Sequence, residues 1–526
     1  MKKLILPLLI LIASAGVFAA QLKPVDKLRQ AEQLIENYYV DEVNADSLVE
    51  EAIRAMLKTL DPHSSYATPE ETRKLNEPLE GKFSGIGISY NMLNDTLYVL
   101  EVISGGPSEQ VGLLPGDRII NAGDSAISGV KRSTDDIKKI LRGPKGTEIN
   151  VEVLRRGEPI TFHIVRDDIP IYSVDAYYMI DKENGYVRVT RFAEDTPEEL
   201  RRAIRDLKKK GMKNLVIDLE SNGGGYLNSA FEMGNLFLDE GDMIVFTGGD
   251  RVRRINYRAD HPGEFQKGRV VVMVNQYSAS ASEILSGALQ DQDRAVIVGR
   301  RTFGKGLVQS PFPFSDGSMI RLTTRRYYTP SGRCIQKHYD LGDEDSYDKD
   351  ITRRYEGGEL TSADSIHFDE SLRYETLKNG RTVYGGGGIM PDVFVPLDTV
   401  AFTKYYRNLL AKNVLNPFCI AYVDQNRDQL LKKYKTEDSF IEKYTVSDDL
   451  LSQLVEQAGK DGVEYNAEEF ALSREYLRSV VKALIARDLF TQTAYYRVMN
   501  LENPTYVEAV KVITDPARYS RILSGE

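Results

Sequence analysis

The apolar positions change period several times along the chain, and each change marks a boundary. From Val25 to Tyr39 they recur at helical spacing. In "DSLVEEAIRAMLKTL" Leu48, Ala52, Ile53, Met56 and Leu57 fall on one helical face, with Asp46 placed to cap it. The pattern stops at "LDPHSSY", where Pro62 disfavours helix at Asp61. From Gly81 to Asp168 it becomes short strands: "FSGIGISY", "TLYVLEVI", "EINVEVLRRG" and "EPITFHIVR", around a capped helix in "STDDIKKILRG". This predicts a compact, strand-rich unit with two helices.

From Ile169 to about Thr399, continuous apolar runs alternate with Gly-rich turns and helical patterns. "NLVIDLE" leads into "SNGGGYLNSAFEMGNLFL", "RVVVMVN" into the serine run, and "AVIVGR" into "TFGKGLVQ". Repeated units of this kind predict an α/β core. A polar, acidic stretch between Gln336 and Tyr384 reads as an exposed insertion. From Pro417 the chain is charge-rich and helical, with a strong apolar stripe in "EEFALSREYLRSVVKALIARDLF". That predicts a separate helical domain for packing and assembly.

The N-terminus follows another rule. Lys2 and Lys3 precede an apolar run, Leu4 to Ile12, and Val17-Phe18-Ala19 supplies small residues at a cleavage site. This is the pattern of a secretory signal peptide, with an uncleaved membrane anchor as the alternative. No cysteine follows the apolar run, which argues against a lipoprotein. With 526 residues the chain is too long for one core. A net charge of −10 without a long basic run argues against nucleic-acid binding. Cys334 and Cys419 read as two structural thiols rather than a pair, although an exported protein could join them. The five histidines are scattered, so no zinc site is expected.

Three serines, Ser278, Ser280 and Ser282, lie on the turn between "RVVVMVN" and "SEILSGALQ". A helix start offers unpaired N–H groups and positive potential, which suit a nucleophile. Ser280 and Glu283 also match a capping box, which needs no chemistry. A serine needs a base. Lys305, between two glycines and near Phe303, Leu307 and Val308, is a better candidate than His261, because desolvation lowers the pKa of a lysine. The glycines of "DLESNGGGYL" expose backbone N–H groups suited to an anion.

Together, the serine run, "TFGKGLVQ" and "SNGGGYL" resemble the carboxyl-terminal processing (tail-specific) peptidases. "LDPHSSY", "GIGISY", "GLLPGDRI", "RRYYTPSGRCIQ" and "GGIMPDVFVP" agree in the same order, so the resemblance covers roughly Val25 to Pro396. It implies a multidomain protein with a crotonase/Clp-protease-like α/β peptidase core and an inserted PDZ domain. The expected division is a signal peptide over 1–19, an N-terminal helical segment over 20–80, the PDZ domain over 81–168, the core over 169–400 and a C-terminal helical domain over 401–526.

The resemblance also sets the register of the site. It implies Ser280 as nucleophile, Lys305 as base, Gln309 as the group orienting the lysine, and the Gly224 and Ala281 N–H groups as oxyanion donors. Ser84, Gly85, Ile86 and Gly87 match the PDZ loop that holds a terminal carboxylate. Arg142 matches an arginine coupling tail capture to the active site, or is a solvated helix-end cation. One departure stands out: the family often reads D-L-R-x-N before the glycines, and this chain has Glu220 at the arginine position. The resemblance implies a periplasmic or cell-envelope serine endopeptidase acting on protein and peptide tails with free C-termini, without metal or organic cofactor. It leaves open a homo-oligomer or an adaptor role through the C-terminal helices. The rival readings are a non-catalytic PDZ adaptor or chaperone, and a hydrolase of esters or thioesters.

Overall fold

The computed structural model describes residues 23–103 and 105–525; the expected signal peptide lies outside them. Six strands form the central sheet, in the order Val174–Met179, Asn184–Val189, Asn214–Asp218, Val270–Val274, Val296–Gly299 and Val393–Phe394. Only the first pair is antiparallel. Residues 214–218, 270–274 and 296–299 are buried throughout, which explains their continuous rather than alternating apolar runs. Because these three strands are neighbours and parallel, the loops after them leave from one edge of the sheet. The glycine loop follows Asp218, the serine turn follows Val274, and the lysine loop follows Gly299. Topology alone therefore gathers the three motifs, at the carboxyl edge where open α/β sheets place their ligands.

Helices Thr196–Lys209, Leu227–Asn235 and Ala281–Asp291 cover one face of the sheet, burying Leu200, Ile204, Leu207, Met233, Ile284 and Leu285. The other face, including Val216, Val271, Met273 and Val298, packs against Tyr506, Ala509, Val512 and Ile513. These belong to the helix Pro504–Thr514. The expectation of a separate helical domain running to residue 526 thus needs revision. The helices from Lys404 to Met499 have their own core, with Leu409, Cys419, Val423, Leu454, Leu477 and Ile485 buried. The last two helices instead complete the core, because a parallel sheet needs cover on both faces.

A second sheet centres on Met319–Tyr328, which pairs with Ser65–Ala67, Leu307–Pro313 and Met243–Gly249. It brings the "LDPHSSY" segment beside the lysine loop. The inserted unit has six antiparallel strands: Ile88–Leu93, Thr96–Val102, Arg118–Ala122, Glu148–Arg155 and Glu158–Val165 in that order, with the short Ser125–Ala126 also pairing with Arg118–Ala122. Lys82–Gly85 and Asp167–Pro170 pair as its two-stranded neck.

Two local expectations change. Asn44, not Asp46, caps the helix Ala45–Lys58, its side chain accepting from Ser47 N. The acidic stretch after Gln336 is not simply exposed: Tyr347 and Arg354 are buried. Arg354 donates to the carbonyls of Arg301 and Thr302 at 2.7 and 3.1 Å, so this segment braces the lysine loop. Both cysteines are free. Among the described residues no helix is long and apolar enough to cross a membrane.

Candidate active site

The three serines have different environments. Ser278 Oγ donates to Leu219 O at 2.8 Å and accepts from Asn275 N at 2.9 Å. Ser282 Oγ donates to Asn222 O at 2.8 Å. Both are fully buried and tie the serine turn to the glycine loop. Ser280 is half-buried and stands at the capping position of the helix, its N–H donating to the Glu283 carboxylate. Its backbone has φ 56° and ψ −114°, unusual for a residue with a side chain. Of the three serines Ser280 is thus the one not fully buried, and it stands at the start of the Ala281–Asp291 helix, where N–H groups lack intrahelical partners.

Gly224 approaches this turn closely. A Cβ there would lie 2.7 Å from Ala279 O, 2.8 Å from Ser280 Cβ and 2.9 Å from Ala281 N, and its φ is +97°. Glycine is required on both counts. The expected donors, Gly224 N–H and Ala281 N–H, thus flank Ser280, but their states differ. Gly224 N–H donates to Asn222 Oδ1 at 2.8 Å, whereas Ala281 N–H is the first of its helix and has no acceptor within it.

Lys305 is brought to the same place through groups that sequence reading did not assign. Glu283, reached from Ser280 by one helical turn, is completely buried. Its carboxylate accepts from Ser280 N (2.8 Å), Thr302 Oγ1 (2.6 Å), Gly304 N (2.7 Å) and Lys305 N (2.9 Å). Burial raises its pKa, and these hydrogen bonds oppose the shift. Tyr327, also buried, directs its hydroxyl at the carbonyls of Ser280 and Lys305. One side chain thus clamps the two segments by their N–H groups and another by their carbonyls. The S-x-x-E signal was legible as a cap; its reach to a second loop was not.

Burial, then the charge of Arg321, pulls Lys305 down to about 8, against the opposing influence of Glu283 and Asp61. Its Nζ makes no hydrogen bond among the described residues. His63, from "LDPHSSY", lies nearby with Nε2 2.9 Å from Tyr347 Oη; burial, then the charge of Lys305, holds its imidazole down at about 3. Gln309 donates from Nε2 to Thr323 Oγ1 at 3.3 Å, and Thr323 Oγ1 donates to Asp61 Oδ1 at 2.9 Å. Gln309 is therefore on the strand leaving the lysine loop but turned toward Thr323. His261 pairs with its neighbour Asp260 on the exposed surface and has no part in this cluster. Among the described residues no group of three or more His, Cys, Asp or Glu could hold a metal ion.

The PDZ-like loop residues stand together at the neck. Ile86 is buried, Gly87 has φ +79°, and Ser84 Oγ is buried without a hydrogen-bond partner. The following strand, Ile88–Leu93, is at the sheet's edge and pairs on one side only. Ile88, Tyr90 and Met92 pack against the core that contains Ile137 and Leu141 of the Thr134–Leu141 helix. Arg142 is not a free helix-end cation: it pairs with Glu77 at 2.6 Å and stacks over Phe83, with its stem beside Gly85.

Comparisons with known proteins agree with this layout. Family models match residues 183–344 (peptidase family S41), 84–165 (PDZ domain) and 13–72 (activating protease CtpB N-terminal domain). Residues 405–491 match a family of unknown function. A carboxy-terminal-processing protease of Bartonella bacilliformis is 34% identical over 337 residues, which span 63% of this chain and 76% of that protein. A probable CtpA-like serine protease of Staphylococcus aureus is 35% identical over 313 residues, 59% of this chain and 62% of its own length. Among solved structures, a photosystem II D1 C-terminal processing protease is 28% identical, covering 59% of this chain and 89% of that one, with a TM-score of 0.34. With an S41 match, a PDZ domain ahead of it in the chain and one-third identity across most of the Bartonella protein, the chain belongs to the carboxy-terminal-processing peptidases, which makes it a serine-type peptidase.

Proposed function

We propose that this peptidase is exported to the cell envelope, captures free protein C-termini in its PDZ groove, and cleaves the chain upstream with Ser280 and Lys305. The observation that carries the reading is that Glu283 and Tyr327 bind the backbones of Ser280 and Lys305 together, in a site whose burial pulls the lysine down to about 8. Neutral Lys305 takes the Ser280 Oγ proton as Oγ bonds to the peptide carbonyl carbon. The resulting oxyanion meets the Ala281 N–H, and the Gly224 N–H transfers to it from Asn222 Oδ1, since a charged acceptor outcompetes an amide carbonyl. The C–N bond breaks as Lys305 returns the proton to the amine, and water then hydrolyses the ester on Ser280. Gln309, whose Nε2 donates to Thr323 Oγ1 here, must turn from Thr323 to orient the lysine.

Tail capture rests on the edge of Ile88–Leu93 with which no other strand pairs, and on the Ser84–Gly87 loop at its start, suited to a carboxylate. Export rests on the basic and apolar pattern of the first nineteen residues. The names of the relatives point to C-terminal processing, and protein or peptide tails are the proposed substrates. The test uses one peptide with an apolar C-terminus, free or amidated. The free peptide should be cut faster by the wild type, and Ser280→Ala should bind it without cleaving. Equal rates for the two peptides would remove tail capture. Cleavage by Ser280→Ala would remove the mechanism.

A further inference from the structure

The Glu220 that departs from the family pattern sits at a junction behind the active site. Its carboxylate accepts from Asn503 Nδ2 at 2.6 Å and lies 3.5 Å from Arg300 Nη2. Asn503 caps the helix Pro504–Thr514 and accepts from Thr505 N at 2.9 Å, so both ends of its amide are used. Arg300, immediately before the lysine loop, also donates from Nε to Gln276 Oε1 at 2.9 Å, two residues before Ser278. Glu220 itself enters the glycine loop: its N–H donates to Asp218 Oδ1, and the next residue, Ser221, exchanges hydrogen bonds with Asn275. Three active-site loops and the C-terminal helix therefore meet at Glu220, Arg300 and Asn503. An arginine at 220 would face Arg300 and leave Asn503 Nδ2 without its acceptor. The change at 220 and the C-terminal asparagine make sense together.

We propose that Glu220 and Asn503 are positioning residues for cleavage: their hydrogen bond lets the C-terminal helix hold the glycine loop in register with Ser280. Neither touches the substrate. Their effect runs through Ser221 and Asn222 to the Gly224 N–H, two residues past Asn222. The inference rests on the proposed role of that N–H in receiving the oxyanion. It predicts that the C-terminal helix is part of the catalytic apparatus.

The test reverses the hydrogen bond in the full chain. Asn503→Asp keeps a helix cap, since aspartate caps as well as asparagine; assayed at about pH 9, above the value of about 7 to which burial and then Asp218 push Glu220, it sets one carboxylate against another. Glu220→Gln with Asn503→Asp restores the bond with its direction inverted. Two rates are read: cleavage of the free-tail peptide, as kcat and KM separately, and labelling of Ser280 by a fluorophosphonate, which also needs an oxyanion donor. Asn503→Asp should lower kcat and the labelling rate by about tenfold or more with KM within about twofold, and the double variant should recover to within about threefold of wild type. Melting curves check that each variant folds. An Asn503→Asp enzyme as fast as wild type, a loss confined to KM, or a double variant no better than the single one would each overturn the proposal. If wild-type Ser280 neither labels nor cleaves, the catalytic reading falls first, and this inference with it; labelling that proceeds normally while both variants differ only in stability sinks this inference alone.

Discussion

Replacing Lys305 with methionine should stabilise the protein while abolishing cleavage. An ordinary lysine titrates at 10.5, and burial with Arg321 brings this one to about 8. Between those two values the unfolded chain carries a proton that the folded protein does not. Stability therefore rises with pH across that window, and below about 8 the whole penalty is present. At pH 7 it amounts to about 2–3 kcal/mol, the lower figure allowing for partial exposure of the residue. Lys305→Met retains the stem and removes the charge. It should melt a few degrees above wild type at pH 7, by about 2–4 °C for a chain of this size, and the gap should shrink as the pH passes from 8 to 10.5. Thermal melts by circular dichroism at pH 7 and pH 9.5 read both effects. The same titration governs turnover: about a tenth of the enzyme has neutral Lys305 at pH 7 and about nine-tenths at pH 9, so kcat should rise roughly tenfold on one basic limb. A Lys305→Met variant less stable than wild type at pH 7, or a limb centred near 10.5, would refute the argument.

Glu283→Gln places an amide NH2 where one oxygen accepted from two donors; kcat should fall by about two orders of magnitude and stability by about 2–4 kcal/mol, read by peptide cleavage and denaturant melts. Loss of stability without loss of kcat per folded molecule would make Glu283 only a brace. Tyr327→Phe removes the hydroxyl shared by the Ser280 and Lys305 carbonyls and should lower kcat with KM little changed. His63→Gln should leave the basic limb at about 8, because a histidine held near 3 is neutral throughout the working range; movement of the limb would assign the base to His63.

The sequence carried the architecture where periodicity reports burial. The runs 214–218, 270–274 and 296–299 are continuous because both sides of each strand are covered, and their parallel order brings three motifs to one edge. What covers the second face was not legible, since the stripe on Pro504–Thr514 says that something is packed but not against what. At the site, the residues alone offered a serine run at a helix start and a glycine-rich anion nest; the choice of Ser280 and of Gly224 came from the family resemblance, since spacing does not separate the three serines. Long-range side-chain bonds were not legible. Glu283 has the same S-x-x-E signature whether its carboxylate stops at the helix or reaches Gly304 and Lys305. Tyr327 lies in an ordinary alternating strand, and Asp61 reaches Thr323 across 262 positions. Arg354 sits in a segment whose acidity suggested solvent, yet its guanidinium is consumed by two loop carbonyls and Glu359.

The central claim is that Ser280, and neither of its neighbours, is the nucleophile activated by Lys305. Treating the full chain with a fluorophosphonate and mapping the adduct by peptide mass spectrometry tests it directly. The account predicts one adduct, on Ser280, with a labelling rate that rises through about pH 8 and is lost in Lys305→Ala. An adduct on Ser278 or Ser282, or undiminished labelling in Lys305→Ala, would contradict it.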